Sequence, residues 1–248
     1  MKKIFFEHIS IVTFLVTSIG FSQQRADNII IPKIDNPRYE NSKGPVIYID
    51  QSHYNFHQKS GRFKPFSDLL ISDGYKVDSI INLKKLKKGD VLVVANAINQ
   101  RNLRNWRRPI DDAFTKDEIV FLKKWVKKVG NLLLIADHMP FAGATNSLAN
   151  AFGFDFCDGF AYLDKESRRL PDIFSIENKR FINSNITNDI VGGNLNSITT
   201  FTGSSFTIPK NAKGILKFKK DDYCLAPEVA WQFNEDTKRT DLEDKYQG

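Results

Sequence analysis

The chain contains little of what redox chemistry or a structural metal site would require. Cysteine occurs twice among 248 residues, at Cys157 and Cys224, and neither lies in a spacing typical of a metal motif. An oxidising compartment would permit a disulfide, but two cysteines do not make a disulfide framework, so two unrelated buried thiols are the favoured interpretation. Histidine occurs four times, so any histidine chemistry depends on very few side chains.

Long apolar runs are also scarce, and the one with little charge lies at the N-terminus. Residues 1–22 combine a basic start, an apolar region and small residues, which is typical of a secretory signal peptide cleaved near residue 22. Glu7 and His8 interrupt a run already short for a bilayer, so no membrane span is expected after cleavage. The absence of cysteine at the cleavage point argues against a lipoprotein. The sequence therefore predicts an exported protein, periplasmic or secreted.

Charge of either sign is not concentrated anywhere in the chain. The net charge is +7, and the lysines are scattered over predicted helix faces and turns. A solvated surface is therefore favoured over nucleic-acid binding. Residues 23–43 are polar and predict a leader laid over the domain. Residues 44–248 have the length of one α/β domain with a sizeable core.

Strand and helix patterns alternate through the first two thirds of the chain. Apolar runs predict four strands, at residues 46–50, 75–80, 90–95 and 132–136. Helical spacing and a capping box at Thr115 and Glu118 predict three helices, which cover residues 63–72, 116–129 and 142–152. The helix between the second and third strands is weak or missing. This alternation predicts a doubly wound, mainly parallel sheet.

Two further features of this pattern bear on the architecture. The fourth strand, residues 132–136, is entirely apolar and is predicted to be buried on both faces. Beyond residue 154 the pattern changes to short strand-like pieces separated by turns. They predict a small antiparallel C-terminal extension, with strands at 197–206, 214–218 and 228–233.

Polar residues follow the strands of the predicted sheet. Because the carboxyl ends of parallel strands meet at one edge, where open α/β sheets bind ligands, these residues are expected to converge on one pocket. Asp137, His138 and His53 are the candidates for catalysis. The candidates for ligand binding are Asp50, Asn55, His57, Arg62, Asn96, Phe141 and Gly143.

Several kinds of chemistry are compatible with these residues. His53 and His57 are four residues apart, so a helical turn between them would let both bind a divalent metal with His138 or Asp137. The structural interpretation is that these side chains tie down the loop through hydrogen bonds to the backbone. Arginines at 101–108 could clamp an anion, although solvation is favoured. The turn after the fourth strand carries no Ser, Cys or Thr nucleophile, and Ser52 beside His53 is a weak signal.

Four stretches resemble a group of uncharacterised bacterial exported proteins placed in the class I glutamine amidotransferase-like superfamily. They are DQSHYNFH at 50–57, GRFKPF at 61–66, ADHMPFAG at 136–143 and FTG at 201–203. The resemblance implies a flavodoxin-like fold. Superfamily members that hydrolyse glutamine use a cysteine where this chain has His138 or Met139, so glutaminase chemistry is not implied. Relatives continue into a further strand, which suggests that a chain ending at residue 248 is truncated.

Two functional hypotheses follow from the sequence. The favoured one is a binding domain without a cofactor that holds a polar small molecule, a sugar or a partner segment at the carboxyl edge. The alternative is a hydrolase that uses the Asp and His cluster, with or without a metal ion.

Overall fold

The core of the protein is a sheet of four parallel strands. The computed structural model describes residues 26, 29–30, 33–165, 171–188, 195–243 and 246–247, so the predicted signal peptide lies outside the described residues. The strands are β1 (Val46–Asp50), β2 (Lys76–Ile80), β3 (Val91–Ala95) and β4 (Asn131–Ile135), in the order β2-β1-β3-β4. Every pairing between them is parallel, which confirms the predicted parallel sheet.

Helices cover both faces of this sheet. They are α1 (Lys64–Ser72), α2 (Lys116–Lys127) and α3 (Phe141–Asn150). The predicted capping box forms at the start of α2, where the hydroxyl of Thr115 accepts from the amide of Glu118 and the Glu118 carboxylate reaches back. Between β2 and β3 a single 3₁₀ turn, Leu83–Lys85, stands in place of a crossover helix.

The two faces of the sheet bury separate apolar clusters. On one face, Leu92 and Val94 of β3 pack against α2 and α3 through Leu122, Trp125 and Leu148. On the other face, Ile47, Ile49 and Val93 pack against Phe63, Phe66 and Leu70 from the α1 region. This two-sided burial explains the nearly continuous apolar sequence of β1 and β3, which are the inner strands.

The prediction that the fourth strand is buried on both faces is wrong. Within the described residues β4 pairs with β3 alone, so it forms an edge of the sheet. Leu132 and Leu134 pack against the core beneath α2, whereas Leu133 is 43% exposed. An apolar run does not show whether a strand lies inside a sheet or at its edge, because that depends on which other strands of the chain pair with it.

The predicted antiparallel extension is confirmed in outline. Three small antiparallel sheets form after residue 154, in the orders β11-β10-β6, β12-β9-β5 and β7-β8. Their strands are β5 (Asp155–Phe156), β6 (Phe160–Tyr162), β7 (Asp172–Ser175), β8 (Ser197–Thr200), β9 (Phe206–Thr207), β10 (Tyr223–Ala226), β11 (Lys238–Asp241) and β12 (Tyr246–Gln247). A short helix, α4 (Asn185–Asn188), precedes β8.

Individual strands of this extension differ from the predictions. Residues 228–233 form a tight turn with isolated bridges, and residues 214–218 form bridges at Leu216, which pairs with Phe181, and at Lys217. The expectation of two unrelated thiols is also wrong, because Cys157 and Cys224 form a disulfide. Antiparallel pairing of β6 with β10 brings together two cysteines that lie 67 residues apart, a proximity that their spacing cannot reveal.

The segment before β1 packs on the turn between α1 and β2, where the rings of Tyr39 and Tyr75 meet edge to face at 5.0 Å. The backbone amide of Gly44 donates to the carbonyl of Gly74 there. None of the helices in the described part of the chain has the length and apolar character that crossing a membrane requires.

Candidate functional site

Asn96 joins the loops that leave three neighbouring strands at the carboxyl edge. It follows β3 with a left-handed φ of 49°, a conformation that asparagine tolerates better than most residues. Its backbone amide donates to the carbonyl of Ile135, and its carbonyl accepts from the amide of Phe56. Its side-chain oxygen accepts from the amide of Asp137 at 2.9 Å. The loops after β1 and β4 are therefore fixed to the end of β3.

This junction forms one wall of a cavity of about 360 Å³ between the parallel sheet and the antiparallel extension. His57, Phe63, Asn96 and Asp137 contribute from the parallel sheet. The opposite wall comes from the extension and includes Asp172, Phe174, Thr200, Thr202, Ser204 and Phe218. The volume lies at the lower end of the range of small-molecule pockets, and the mixture of rings and polar groups is typical of them.

The opposite wall was not predicted from the sequence. Its polar residues lie in segments whose sequence pattern predicts only strands and turns. The one signal is the FTG stretch at 201–203, of which Thr202 and Gly203 line the cavity. That stretch contributes to the family resemblance but carries no recognisable chemistry.

His57 is the least satisfied polar side chain of the cavity. Its ring stacks on Phe63 with centroids 4.8 Å apart, and its buried Nδ1 has no hydrogen-bond partner in the described part of the chain. Burial lowers the pKa of the imidazole below its ordinary 6.5, and the positive charge of Arg62 lowers it further, while the Asp137 carboxylate opposes both. The ring is therefore mainly neutral at pH 7, and its Nδ1 is closed off from solvent.

Asp137 supplies the carboxylate of the same wall. It is half-buried, and its Oδ1 accepts from the amide of His138 at 2.9 Å. Its Oδ2 lies 3.9 Å from Nε2 of His138, which is beyond hydrogen-bond distance. Asp172 on the opposite wall is already paired with Lys165. Asp137 can therefore still accept a hydrogen bond from a ligand, whereas the charge of Asp172 is balanced by Lys165.

His53, Asp50 and Asn55 lie beneath this edge and not in the cavity. Nδ1 of His53 is 2.7 Å from the fully buried Asp50, whose other oxygen accepts from the amide and hydroxyl of Ser52. The Asn55 side chain accepts from the amide of His53 and donates to the carbonyl of Ala95. These hydrogen bonds fix the loop that follows β1. His53, Asp50 and Asn55 therefore serve to hold this loop in place.

The far side of His53 is closed by α2. Its ring lies 3.8 Å from that of Phe114, and Nε2 is 3.4 Å from the carboxylate of Glu118. This contact is not a hydrogen bond, because Nε2 has no hydrogen-bond partner in the described residues. Desolvation raises the pKa of Glu118, but the hydroxyl and amide of Thr115 and the neighbouring His53 together hold it below its ordinary value. His53 is therefore sealed between two acidic side chains.

His138 is separated from the cavity by its own orientation. It is buried, its Nδ1 lies 2.6 Å from the carbonyl of Met139, and its ring stacks on Phe160 with centroids 4.6 Å apart. Trp231 meets the same ring edge to face at 4.6 Å. The expected convergence of His53, His138 and Asp137 on one pocket is not met: Nε2 of His138 lies 3.9 Å from Asp137, but of the three residues Asp137 alone lines the cavity.

The remaining predicted residues also lie outside the cavity. Phe141 is buried among Phe56, Trp106 and His138. The amide of Gly143 donates to Asp158, which pairs with Arg108. The Arg62 guanidinium lies 3.8 Å above the Phe56 ring and acts on the cavity only through its charge. Of ten predicted residues, the structure places His57, Asn96 and Asp137 on the cavity wall.

The geometry also bears on the metal hypothesis. Residues 54–58 do not form the helical turn that would direct His53 and His57 to one ion. Across the described residues there is no group of three or more His, Cys, Asp or Glu side chains that could hold a metal ion. The histidine pair therefore lacks the arrangement that the metal hypothesis requires.

Comparison with known proteins concerns the fold alone. No protein-family model matches the chain, and no curated protein sequence matches it. Among solved structures, the chain is similar to the one titled mmIFT52 N-terminal domain, with a TM-score of 0.53 and 14% sequence identity. The alignment covers 71% of this chain and 74% of that chain.

These findings correct the family resemblance. A class I glutamine amidotransferase-like relationship would be expected to produce a matching family model, and none matches. The structural neighbour carries a different name, and at 14% identity the likeness shows a similar α/β fold alone. The four short motifs on which the resemblance depended therefore carry no family assignment.

Proposed function

We propose that this chain is a binding domain that holds a small polyhydroxylated molecule, such as a sugar, in the cavity at the carboxyl edge of the sheet. The observation that carries this proposal is the cavity itself, which lies where open α/β sheets bind ligands and is lined by polar side chains and phenylalanine rings.

The lining of the cavity supports this class of ligand. Asn96, Asp137, Thr200 and Thr202 offer amide, carboxylate and hydroxyl groups, which match the hydroxyls of a polyol. Phenylalanine rings, from Phe63, Phe174 and Phe218 among others, provide apolar surface between them. No lysine or arginine lines the cavity within the described residues, which disfavours an anionic ligand.

The strand order supports a finer description of the fold. The order β2-β1-β3-β4 equals the first four positions of a flavodoxin-like sheet, and its ligand crevice lies between the first and third strands. We place the cavity at this switch point, because His57 follows β1 and Asn96 follows β3. The domain from residue 44 to 248 would then be one flavodoxin-like unit with an antiparallel extension.

Export is the second part of the proposal. The disulfide between Cys157 and Cys224 supports it, since such bonds persist mainly in oxidising compartments. The composition of residues 1–22 supports it independently. N-terminal sequencing of protein made in its own host should begin near Gln23, and a mature chain that retains Met1 would refute this part.

A hydrolase remains the second candidate. Its support is the neutral His57 beside Asp137, with the hydroxyls of Thr202 and Ser204 lining the same cavity. In the described part of the chain, however, no hydroxyl hydrogen-bonds to His57, and Ser204 donates to the carbonyl of Cys157. Because an activated nucleophile needs such a contact, binding is the better supported function.

The binding proposal is tested by calorimetry and NMR with a panel of neutral monosaccharides and polyols. Binding of a panel member should shift the His57 ring signals and should be weakened at least tenfold by Asp137→Asn. His57→Phe, which keeps the stacked ring, should weaken it similarly. Asp221→Asn is the matched control, because Asp221 is exposed. Binding that is unaffected by both cavity variants would place the ligand elsewhere.

A further inference from the structure

A second surface lies beside the cavity and is built from aromatic rings and arginines. Phe56 is 41% exposed and Trp231 is 50% exposed, and Trp106 lies between Phe56 and the His138 ring that supports Trp231. We call this set, together with Arg62, Arg104 and Arg107, the aromatic–arginine surface. Contiguous exposed apolar patches rimmed by polar groups are typical of interaction sites.

Two loops are locked together to present these rings. The amide of Ala230 donates to the carbonyl of Trp106 at 2.9 Å, and the amide of Arg108 donates to the carbonyl of Glu228 at 3.0 Å. The Trp231 ring rests on Phe160 at 4.5 Å and on the buried His138. The rings are therefore held in place before a partner arrives, which lowers the entropy cost of binding.

Trp231 occupies a backbone position that does not suit it. The amide of Gln232 donates to the carbonyl of Val229, so Ala230 and Trp231 are the central residues of a tight turn. Trp231 has a φ of 69°, where glycine or asparagine is preferred. Such strain costs free energy and is found mainly at functional sites. Burial of the side chain does not explain why a tryptophan occurs at this position either, because Trp231 is 50% exposed.

The charges on this surface are mostly uncompensated. Arg62 lies over the Phe56 ring, and Arg104 and Arg107 flank Trp106 in sequence. Among the described residues, none of these three guanidinium groups has a carboxylate within 4.0 Å, whereas Arg101 and Arg108 both do. Glu228 is an exposed acid beside the surface. The net local charge is positive, and it matches a negatively charged partner.

We propose that the aromatic–arginine surface binds a protein partner that presents an apolar anchor flanked by Asp and Glu side chains. Tryptophan and arginine are the residue types most enriched where protein interfaces gain their binding energy. The apolar anchor packs against Trp231 and Phe56, and the acidic side chains pair with Arg62, Arg104 and Arg107. This inference is independent of the ligand proposed for the cavity.

Tryptophan fluorescence provides a direct readout. The chain has three tryptophans, and Trp125 is buried in the core, so a probe that binds the surface alters the emission of Trp106 and Trp231. The probe is a random copolymer of glutamate and tyrosine, compared with polyglutamate, polygalacturonate and oligo-dT at equal charge. The copolymer should bind at least tenfold more tightly than the other three. Added salt should weaken it.

Variants locate the binding. Trp231→Ser should weaken copolymer binding by about tenfold or more, the scale of an interface hot spot, and Arg104→Ser with Arg107→Ser should weaken it and reduce its salt dependence. The controls are Phe201→Ser, whose ring is 79% exposed elsewhere, and Lys123→Ser with Lys127→Ser on the exposed face of α2. The arginine variant keeps the proposal testable if Trp231→Ser fails to fold.

Other outcomes overturn the proposal. Equal binding of polyglutamate would show attraction by charge alone. Preference for polygalacturonate would identify a glycan surface, and preference for oligo-dT would identify a single-strand nucleic-acid surface. Absence of copolymer binding, or equal losses in the control variants, would also refute it.

Discussion

At the scale of single residues, His57 lies between two charges of opposite sign. Arg62 disfavours its protonation and Asp137 favours it, while burial disfavours it most. As the pH falls, His57 is protonated first in the unfolded chain, because its pKa is lower in the folded protein. Folding stability therefore falls as the pH drops through 6.5 toward the pKa of the folded protein. The imidazole is therefore mainly neutral at pH 7.

The balance around His57 gives the first prediction. Arg62→Gln should raise the pKa of His57, and Asp137→Asn should lower it further, because each removes one of the two opposing charges. The measurement is an NMR titration of the His57 ring, assigned with His57→Gln. Arg38→Gln, far from the cavity, should leave the midpoint unchanged. A midpoint that moves the same way in both variants would contradict the geometry.

Gly143 provides a second prediction at this scale. A Cβ atom at this position would lie 2.5 Å from the Asp158 carboxylate carbon, so Gly143 serves close packing and not ligand binding. Gly143→Ala should lower the free energy of unfolding by about 1–3 kcal/mol, the usual cost of overpacking. Chemical denaturation measures it. Gly203→Ala is the control, because no atom lies within 4 Å of its added Cβ, and an equal loss there would argue against the overpacking explanation.

At the scale of elements, sequence signals that lie within one helix or turn predicted the structure correctly, whereas the position of a strand within the sheet could not be predicted. The capping box at Thr115 and Glu118 was predictable because both partners lie within one helical turn. Pro65 lies in the first turn of α1 and Gly74, with a left-handed φ of 87°, follows its end, and both residue types are local signals of where a helix begins and ends. The edge position of β4 was not predictable, since it depends on which strands pair across the whole chain.

The edge position of β4 gives the third prediction. An uncharged apolar edge strand is a site for unwanted pairing between molecules, and Leu133 is its exposed centre. Leu133→Lys should reduce aggregation on concentration, measured by light scattering, with little change in the free energy of unfolding. Leu134→Lys should instead destabilise the protein, because Leu134 packs on the core. Unchanged aggregation in Leu133→Lys would show that β4 is already covered in solution.

At the scale of the whole molecule, the sequence located the carboxyl edge but only part of the site. His57, Asn96 and Asp137 were predictable because each follows a strand of one parallel sheet. His53 and His138 follow strands too, yet they turn toward Asp50 and Phe160, and strand order does not specify side-chain direction. The wall from Thr200 to Ser204 was missed because it comes from a distant antiparallel segment.

The disulfide connects that distant wall to the rest of the fold. The amide of Cys157 donates to the carbonyl of Ser205, and the amide of Ala161 donates to the carbonyl of Gly203. Cys224 lies opposite Ala161 in the pairing of β10 with β6. The bond therefore fixes the segment that closes the cavity, in addition to restricting the unfolded chain.

Cleaving the disulfide gives the fourth prediction. The cysteines are 67 residues apart, and loop-closure entropy sets the loss of stability at about 4 kcal/mol as an upper value. Reductant should lower the denaturation midpoint and speed hydrogen exchange of backbone amides at residues 200–206, while amides in β1 and β3 stay protected. The variant with Cys157→Ser and Cys224→Ser should behave like the reduced protein and should not respond to reductant. Unaltered exchange at 200–206 would mean that strand pairing alone holds the cavity wall.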